Sequence, residues 1–120
     1  MIYTGYYSKV KKYKEAGLTP IAISGVVPEF YEGKVWKWLA PKKQTFVEWK
    51  KGDIDNFQYT ERYEKEVLST LDMNEFRELL LATDKPVFIC YEKPGDFCHR
   101  HVLADWIERH MGFSVDEYIV

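Results

Sequence analysis

The chain has 120 residues, 46% hydrophobic and 17% aromatic, with a formal net charge of -2. That length and composition suit one globular domain over residues 1–120 and exclude a disordered segment. No apolar run approaches the roughly 20 residues of a membrane span and no signal-peptide pattern opens the chain, so no membrane partner and a cytoplasmic location are expected.

In chain order, residues 1–4 read as a first strand, followed by Gly5, Tyr6, Tyr7 and Ser8. Residues 9–16 form a basic helix that Gly17 closes. Residues 20–24 (PIAIS) are a second, buried strand ending at Ser24-Gly25. The next stretch, to Pro41, carries few regular signals but many aromatics: Phe30, Tyr31, Trp36 and Trp38. A long loop of this kind is usually functional or lies over a site. Thr45 and Glu48 have the spacing of a capping box, and Gly52 closes the short helix they would open. A longer helix is expected over residues 59–71, with Tyr63, Val67, Leu68 and Leu71 on one stripe. Asp72 and Glu75 repeat the cap signature and open a helix through Phe76, Leu79, Leu80 and Thr83.

Residues 86–111 are the stretch around which the rest is organised. Val87 to Tyr91 is apolar without alternation, as in a strand covered on both faces. Pro94-Gly95 turns the chain, Asp96 is placed to cap a helix, and that helix carries Cys98, His99 and Arg100 in its first turn. On a helical wheel Val102, Leu103, Trp106, Ile107 and Met111 form the buried stripe. His99 and His110 point near its centre and His101 points away. Gly112 ends the helix, and residues 114–119 read as a last strand. Strands alternating with helices argue for an α/β fold, a three-layer sandwich with about four mostly parallel strands, Rossmann-like or flavodoxin-like.

Ligands of such sheets bind beyond the carboxyl ends of the strands. The candidates there are Tyr6, Tyr7, Ser24, Glu92 and Gly95 together with the Cys98-His99-Arg100 helix start. For Cys98 the alternatives are a nucleophile made acidic by the helix N-terminus and a small buried apolar residue. His99 is either an acid/base or a hydrogen-bonded core residue. Arg100 suits a bidentate contact to phosphate or carboxylate, or an ion pair with Glu92. Glu92 is also a candidate general base. Gly95 lets the backbone pass close to an anion held by the amides of residues 95–100.

Cys90 and Cys98, expected as free thiols in a reducing compartment, lack the spacing of a zinc ligand set with His99 and Glu92, and no metal is expected. Cys90 is followed six residues later by Asp96, which excludes the cysteine-phosphatase pattern. No cofactor is singled out. Residues 1–52 hold ten Lys against four Glu, and residues 53–120 hold seven basic against fifteen acidic side chains. Lys34, Lys37, Lys42 and Lys43 beside Trp36 and Trp38 give loop 28–51 either a nucleic-acid-stacking role or that of a lid with solvated lysines. Two function classes follow: an enzyme on a small anionic or nucleotide-like substrate, and a non-catalytic nucleotide or nucleic-acid binding module.

Thr4-Gly5-Tyr6, Leu39-Ala40-Pro41, Tyr59 with Tyr63, and the run Cys90-Tyr91-Glu92-Lys93 through Cys98-His99-Arg100 resemble motifs of the DUF488 family, domains of unknown function. The resemblance covers almost the whole chain and implies an α/β fold and a shared pocket. Family members often end their second strand in Asp-Val-Arg. Here Ile23-Ser24-Gly25 stands instead, so any role of that Asp or Arg does not carry over.

Overall fold

The centre of the sheet is the parallel pair β1 (Ile2–Tyr6) and β4 (Pro86–Cys90), with Tyr3 opposite Val87 and Tyr6 opposite Cys90. All residues of β4 are buried, which explains its unalternating sequence. β2 (Thr19–Ala22) pairs with the other side of β4, β3 (Lys34–Val35) lies outside β2, and β5 (Val115–Glu117) lies outside β1. The computed structural model describes residues 1–120. Its order, β3-β2-β4-β1-β5, is parallel throughout. The strand beyond the expected four is β3, two exposed residues inside the segment that reads as irregular. It is specified by pairing with Ile21 and Ala22, not by its own side chains.

The two faces of the sheet bury different residues. Ile21, Ile23 and Phe88 pack with residues from the helices α3 (Asn56–Glu66), α4 (Met73–Ala82) and α5 (His99–Met111). Ala22, Val87 and Ile89 face the other way, against Tyr7, Leu18, Tyr31 and Tyr13 of α1 (Val10–Glu15). The result is the expected three-layer α/β arrangement. α2 (Lys43–Lys51) sits beside α3. No helix is long and apolar enough to cross a membrane.

Several local signals resolve differently from their sequence reading. Thr45 lies inside α2, where its buried hydroxyl donates to Glu66 Oε1 at 2.7 Å. The capping box belongs instead to α3, where Asp55 accepts from the Gln58 amide and Gln58 accepts from the Asp55 amide. α3 is also shorter than residues 59–71, because a 3-10 turn at Leu68–Thr70 ends the run. Asp72 caps α4 as read, accepting from the amides of Asn74 and Glu75. Asp96 does not cap α5. It sits in an exposed turn with its own amide donating to Lys93, and Cys98 is the N-cap, without a side-chain cap bond. Gly112, at φ +77°, ends α5 in the left-handed conformation that glycine adopts freely.

Candidate functional site

β2 and β4 run out side by side, one continuing into Ser24-Gly25 and the other into Tyr91-Glu92. α5 begins directly behind them. From β1 the chain crosses to β2 on one side of β4, whereas from β4 it crosses to β5 on the far side of β1. A reversal of this kind opens a crevice at the carboxyl ends of the strands. Here it is a cleft of about 800 Å³ floored by Cys90, Cys98 and His99. The 3-10 turn Lys37–Leu39, α2 and Tyr59 of α3 supply its walls.

The sulfurs of Cys90 and Cys98 meet at this floor, joined as a disulfide, with their Cα atoms 7.3 Å apart. This corrects the expectation of two free thiols. The turn over residues 91–98 folds the chain back, so that the N-cap residue of α5 lands on the last residue of β4.

His99 is buried, as its place on the wheel requires. Its Nε2 lies 2.8 Å from the Ile23 carbonyl, which only accepts, so Nε2 carries the proton. The Nδ1 lone pair is thereby turned toward Cys98 Sγ, 3.8 Å away. Burial pulls the imidazole down to about 4, despite the hydrogen bond to Ile23, so His99 is neutral near pH 7. His101 is half-buried rather than solvent-facing, and His110 is exposed at the end of α5, its ring tilted against Trp106 at the edge of the core.

Arg100 is not available to a ligand. It is completely buried. Its Nε and Nη2 donate to the Glu117 carboxylate at 3.1 and 3.0 Å, and Nη1 donates to the Glu92 carbonyl at 2.6 Å. The same Nη1 lies 3.1 Å from Cys90 Sγ, where it would favour the thiolate once the bridge is reduced. The structural ion pair is the alternative that holds, with Glu117 of β5 in the place expected for Glu92. Burial pushes the Glu117 carboxyl up, but the hydrogen bonds from Arg100 and Thr4 outweigh it and hold the group below the usual carboxylate range.

Ser24 lines the cleft and belongs to a hydroxyl chain. Its Oγ donates to the Val26 carbonyl at 2.7 Å and so accepts from Tyr7, 2.5 Å away. Tyr91 donates to the same carbonyl at 2.9 Å. Burial pushes the Tyr7 phenol up to about 12, so it stays a donor. Tyr6 and Gly95 are not among the lining residues, and Gly95 lies in the exposed turn at φ +93°. Glu92 does line the cleft, with Lys50 3.8 Å from its carboxylate.

The aromatic loop divides between two jobs. Tyr31 is buried in the core on the α1 side and Trp36 packs on Phe88, so both are structural. Trp38 lines the cleft with the exposed Lys37, Lys42 and Lys43. Trp49, Phe46 and Phe97 join them. Sequence reading missed these last three. Trp49 and Phe97 pack with ring centroids 5.5 Å apart across a separation of 48 positions, a contact that no local periodicity signals.

A family model described as "Active DUF488-N3 subclade" matches residues 11–111. No curated protein and no solved structure matches the chain. The matched span takes in every residue that lines the cleft, from Ser24 to His99. With most of its length inside that model, the chain belongs to the DUF488 family.

Proposed function

We propose that the cleft binds a small ligand combining a planar ring with an anionic group, a nucleotide-like compound. The observation that carries this reading is the company Lys37, Lys42 and Lys43 keep: they line one concavity with Trp38, Phe46, Trp49 and Tyr91. Ring faces accept a base by stacking, and lysines meet its phosphate as point charges. Of the two acids in the lining, Glu92 lies beside Lys50, and Glu66, which accepts from Thr45, is outnumbered by Lys37, Lys42 and Lys43. The start of α5 adds N–H donors and a favourable dipole end at the floor. The volume lies within the roughly 300–1,000 Å³ usual for small-molecule sites. The anion-binding role read for Arg100 and Gly95 thus passes to the lysines.

An enzymatic version places the chemistry at the floor, with Cys98 as nucleophile and Glu92 as base. This version requires the Cys90–Cys98 bridge to be reduced, which the reducing poise of the cytoplasm, where we place the chain, would do. His99 supports binding more than catalysis, since a buried neutral imidazole tied to a carbonyl is a weak base. The binding-module reading therefore needs fewer conditions than the enzymatic one.

A thermal-shift panel tests the reading with nucleoside monophosphates, the matching nucleosides and inorganic phosphate, run on the wild type and on Lys42→Ala/Lys43→Ala. A nucleotide present at about 100 times its Kd adds roughly 2.7 kcal/mol. The expected order is monophosphate above nucleoside above phosphate, with the double variant removing the advantage of the monophosphate. Equal, negligible shifts for all three would overturn it.

A further inference from the structure

We propose that Cys90, Cys98 and His99 together form a metal-binding site, of the two-thiolate, one-imidazole type that takes zinc, with its fourth position open to the cleft. Sequence spacing argued against any metal, because the cysteines stand eight positions apart. The fold removes that objection. Cys90 Sγ, Cys98 Sγ and a ring nitrogen of His99 all lie within 4.8 Å of one another, and all three residues are buried. Ligands at about 2.3 Å for sulfur and 2.0–2.1 Å for nitrogen, at tetrahedral angles, stand roughly 3.6 Å apart. Cys98 Sγ and His99 Nδ1 are already 3.8 Å apart. Two sulfurs on one zinc stand about 3.7 Å apart, and Cα atoms 7.3 Å apart accommodate that spacing.

The surrounding groups are those a metal site uses. A ligating histidine commonly donates its other ring N–H to a backbone carbonyl, which fixes the tautomer and aims the free nitrogen at the metal. His99 does this through Ile23, at 2.8 Å. Arg100 Nη1, at 3.1 Å from Cys90 Sγ, supplies a hydrogen bond to a thiolate ligand. Charge also balances. Two thiolates neutralise a divalent ion, and Arg100 is neutralised by Glu117, so no net charge is left in the buried shell. Three protein ligands and an open fourth position are the pattern of catalytic rather than structural zinc. The open position faces the lined cleft, so it would take a water molecule or an oxygen of a bound ligand.

The bridged form must first be reduced. A phosphine reductant supplies two electrons and becomes the phosphine oxide, with water giving the oxygen and the two protons that leave Cys90 and Cys98 as thiols. Metal binding then displaces both thiol protons to solvent. This proposal uses the floor of the cleft alone and stands whether or not a nucleotide binds above it.

The test is a titration of the phosphine-reduced full chain, its two thiols verified with a thiol reagent, with Co²⁺ as the spectroscopic probe and Zn²⁺ as competitor. Expected are saturation at one Co²⁺ per chain, a thiolate-to-cobalt charge-transfer band, visible bands of tetrahedral intensity, and loss of both on adding Zn²⁺. Cys98→Ser is expected to weaken the charge-transfer band by about half and His99→Asn to keep it while changing the visible bands. Circular dichroism verifies that each variant is folded. A reduced, folded wild type without a charge-transfer band overturns the site whatever the variants do. A band unchanged in Cys98→Ser overturns the assignment of ligands.

Discussion

Arg100 of α5 and Glu117 of β5 form a two-pronged ion pair, at 3.1 and 3.0 Å, with the arginine side chain completely shielded from solvent. The pair joins the helix that begins at the cleft floor to the edge strand beside β1. Replacing only the acid strands a buried charge, which usually costs about 3–5 kcal/mol, whereas replacing both partners with apolar side chains is often near neutral. Glu117→Gln is therefore expected to lower stability in urea unfolding by several kcal/mol, and Arg100→Met/Glu117→Leu to recover most of it. If the double variant is no more stable than Glu117→Gln, the pair is not what limits this region.

The same carboxylate contributes to acid sensitivity. Its folded pKa is depressed, so its contribution is present above the unfolded carboxylate value and disappears as pH falls through the folded one.

His99 acts at higher pH. Its folded value is lowered from 6.5 to about 4. Between those values the unfolded chain binds a proton that the folded chain refuses, so stability rises with pH across the window and is flat above it. The loss on acidification from pH 6.5 to 4 is on the order of 3 kcal/mol for this residue. Unfolding of metal-free protein, measured from pH 4 to 8, should show a shallower slope for His99→Asn than for the wild type. Parallel slopes would mean that His99 is protonated in the folded state.

Gly5 is needed for space rather than for a left-handed backbone. A Cβ built there would lie against the Tyr13 ring, 2.7 Å from Cε2, and the Tyr13 hydroxyl accepts from the Tyr6 amide at 3.1 Å. Tyr13 is fully buried and has little freedom to move. Gly5→Ala is expected to cost roughly 1–3 kcal/mol by overpacking. Tyr13→Leu in the same chain should reduce the penalty of the alanine, which thermal unfolding of the four chains of the cycle would measure.

Asp55 accounts for the start of α3 through its reciprocal bonds with Gln58, at 2.8 and 2.9 Å. Asp55→Ala is expected to lose about 1 kcal/mol. Thr45→Ala tests a different contact, the hydroxyl that crosses from α2 to Glu66, and its effect should be suppressed in a Glu66→Ala background.

These elements also mark where sequence reading succeeded and where it stopped. β4 and α5 were legible because burial on both faces, a Pro-Gly turn and a 3.6-residue stripe are local patterns, and His99 fell on the buried side as the wheel required. The Asp72 cap was legible for the same reason. The start of α2 was misread because Thr45 followed by Glu48 satisfies the capping-box spacing, yet its hydroxyl is used by a residue 21 positions away. The Asp55 box has an equally good spacing but went unread, because the helix was placed from residue 59 on the stripe of Tyr63, Val67, Leu68 and Leu71. Arg100 finds its acid 17 residues on, through the pairing of β5 with β1, which no spacing encodes. The contact of Cys90 with Cys98 likewise depends on the path of the turn rather than on their separation of eight positions.

The most direct measurement of the central claim, a nucleotide-like ligand in the cleft, is ¹H–¹⁵N NMR of the indole groups during titration with a nucleoside monophosphate. Trp38 and Trp49 line the cleft, and Trp106 sits in the core against Phe76 as an internal control. The expected result is saturable movement of the Trp38 and Trp49 indole signals, and of the Gly25 and His99 amides, with Trp106 unmoved. Signals of Trp38 and Trp49 that stay fixed at millimolar nucleotide, or move no more than that of Trp106, would contradict the claim.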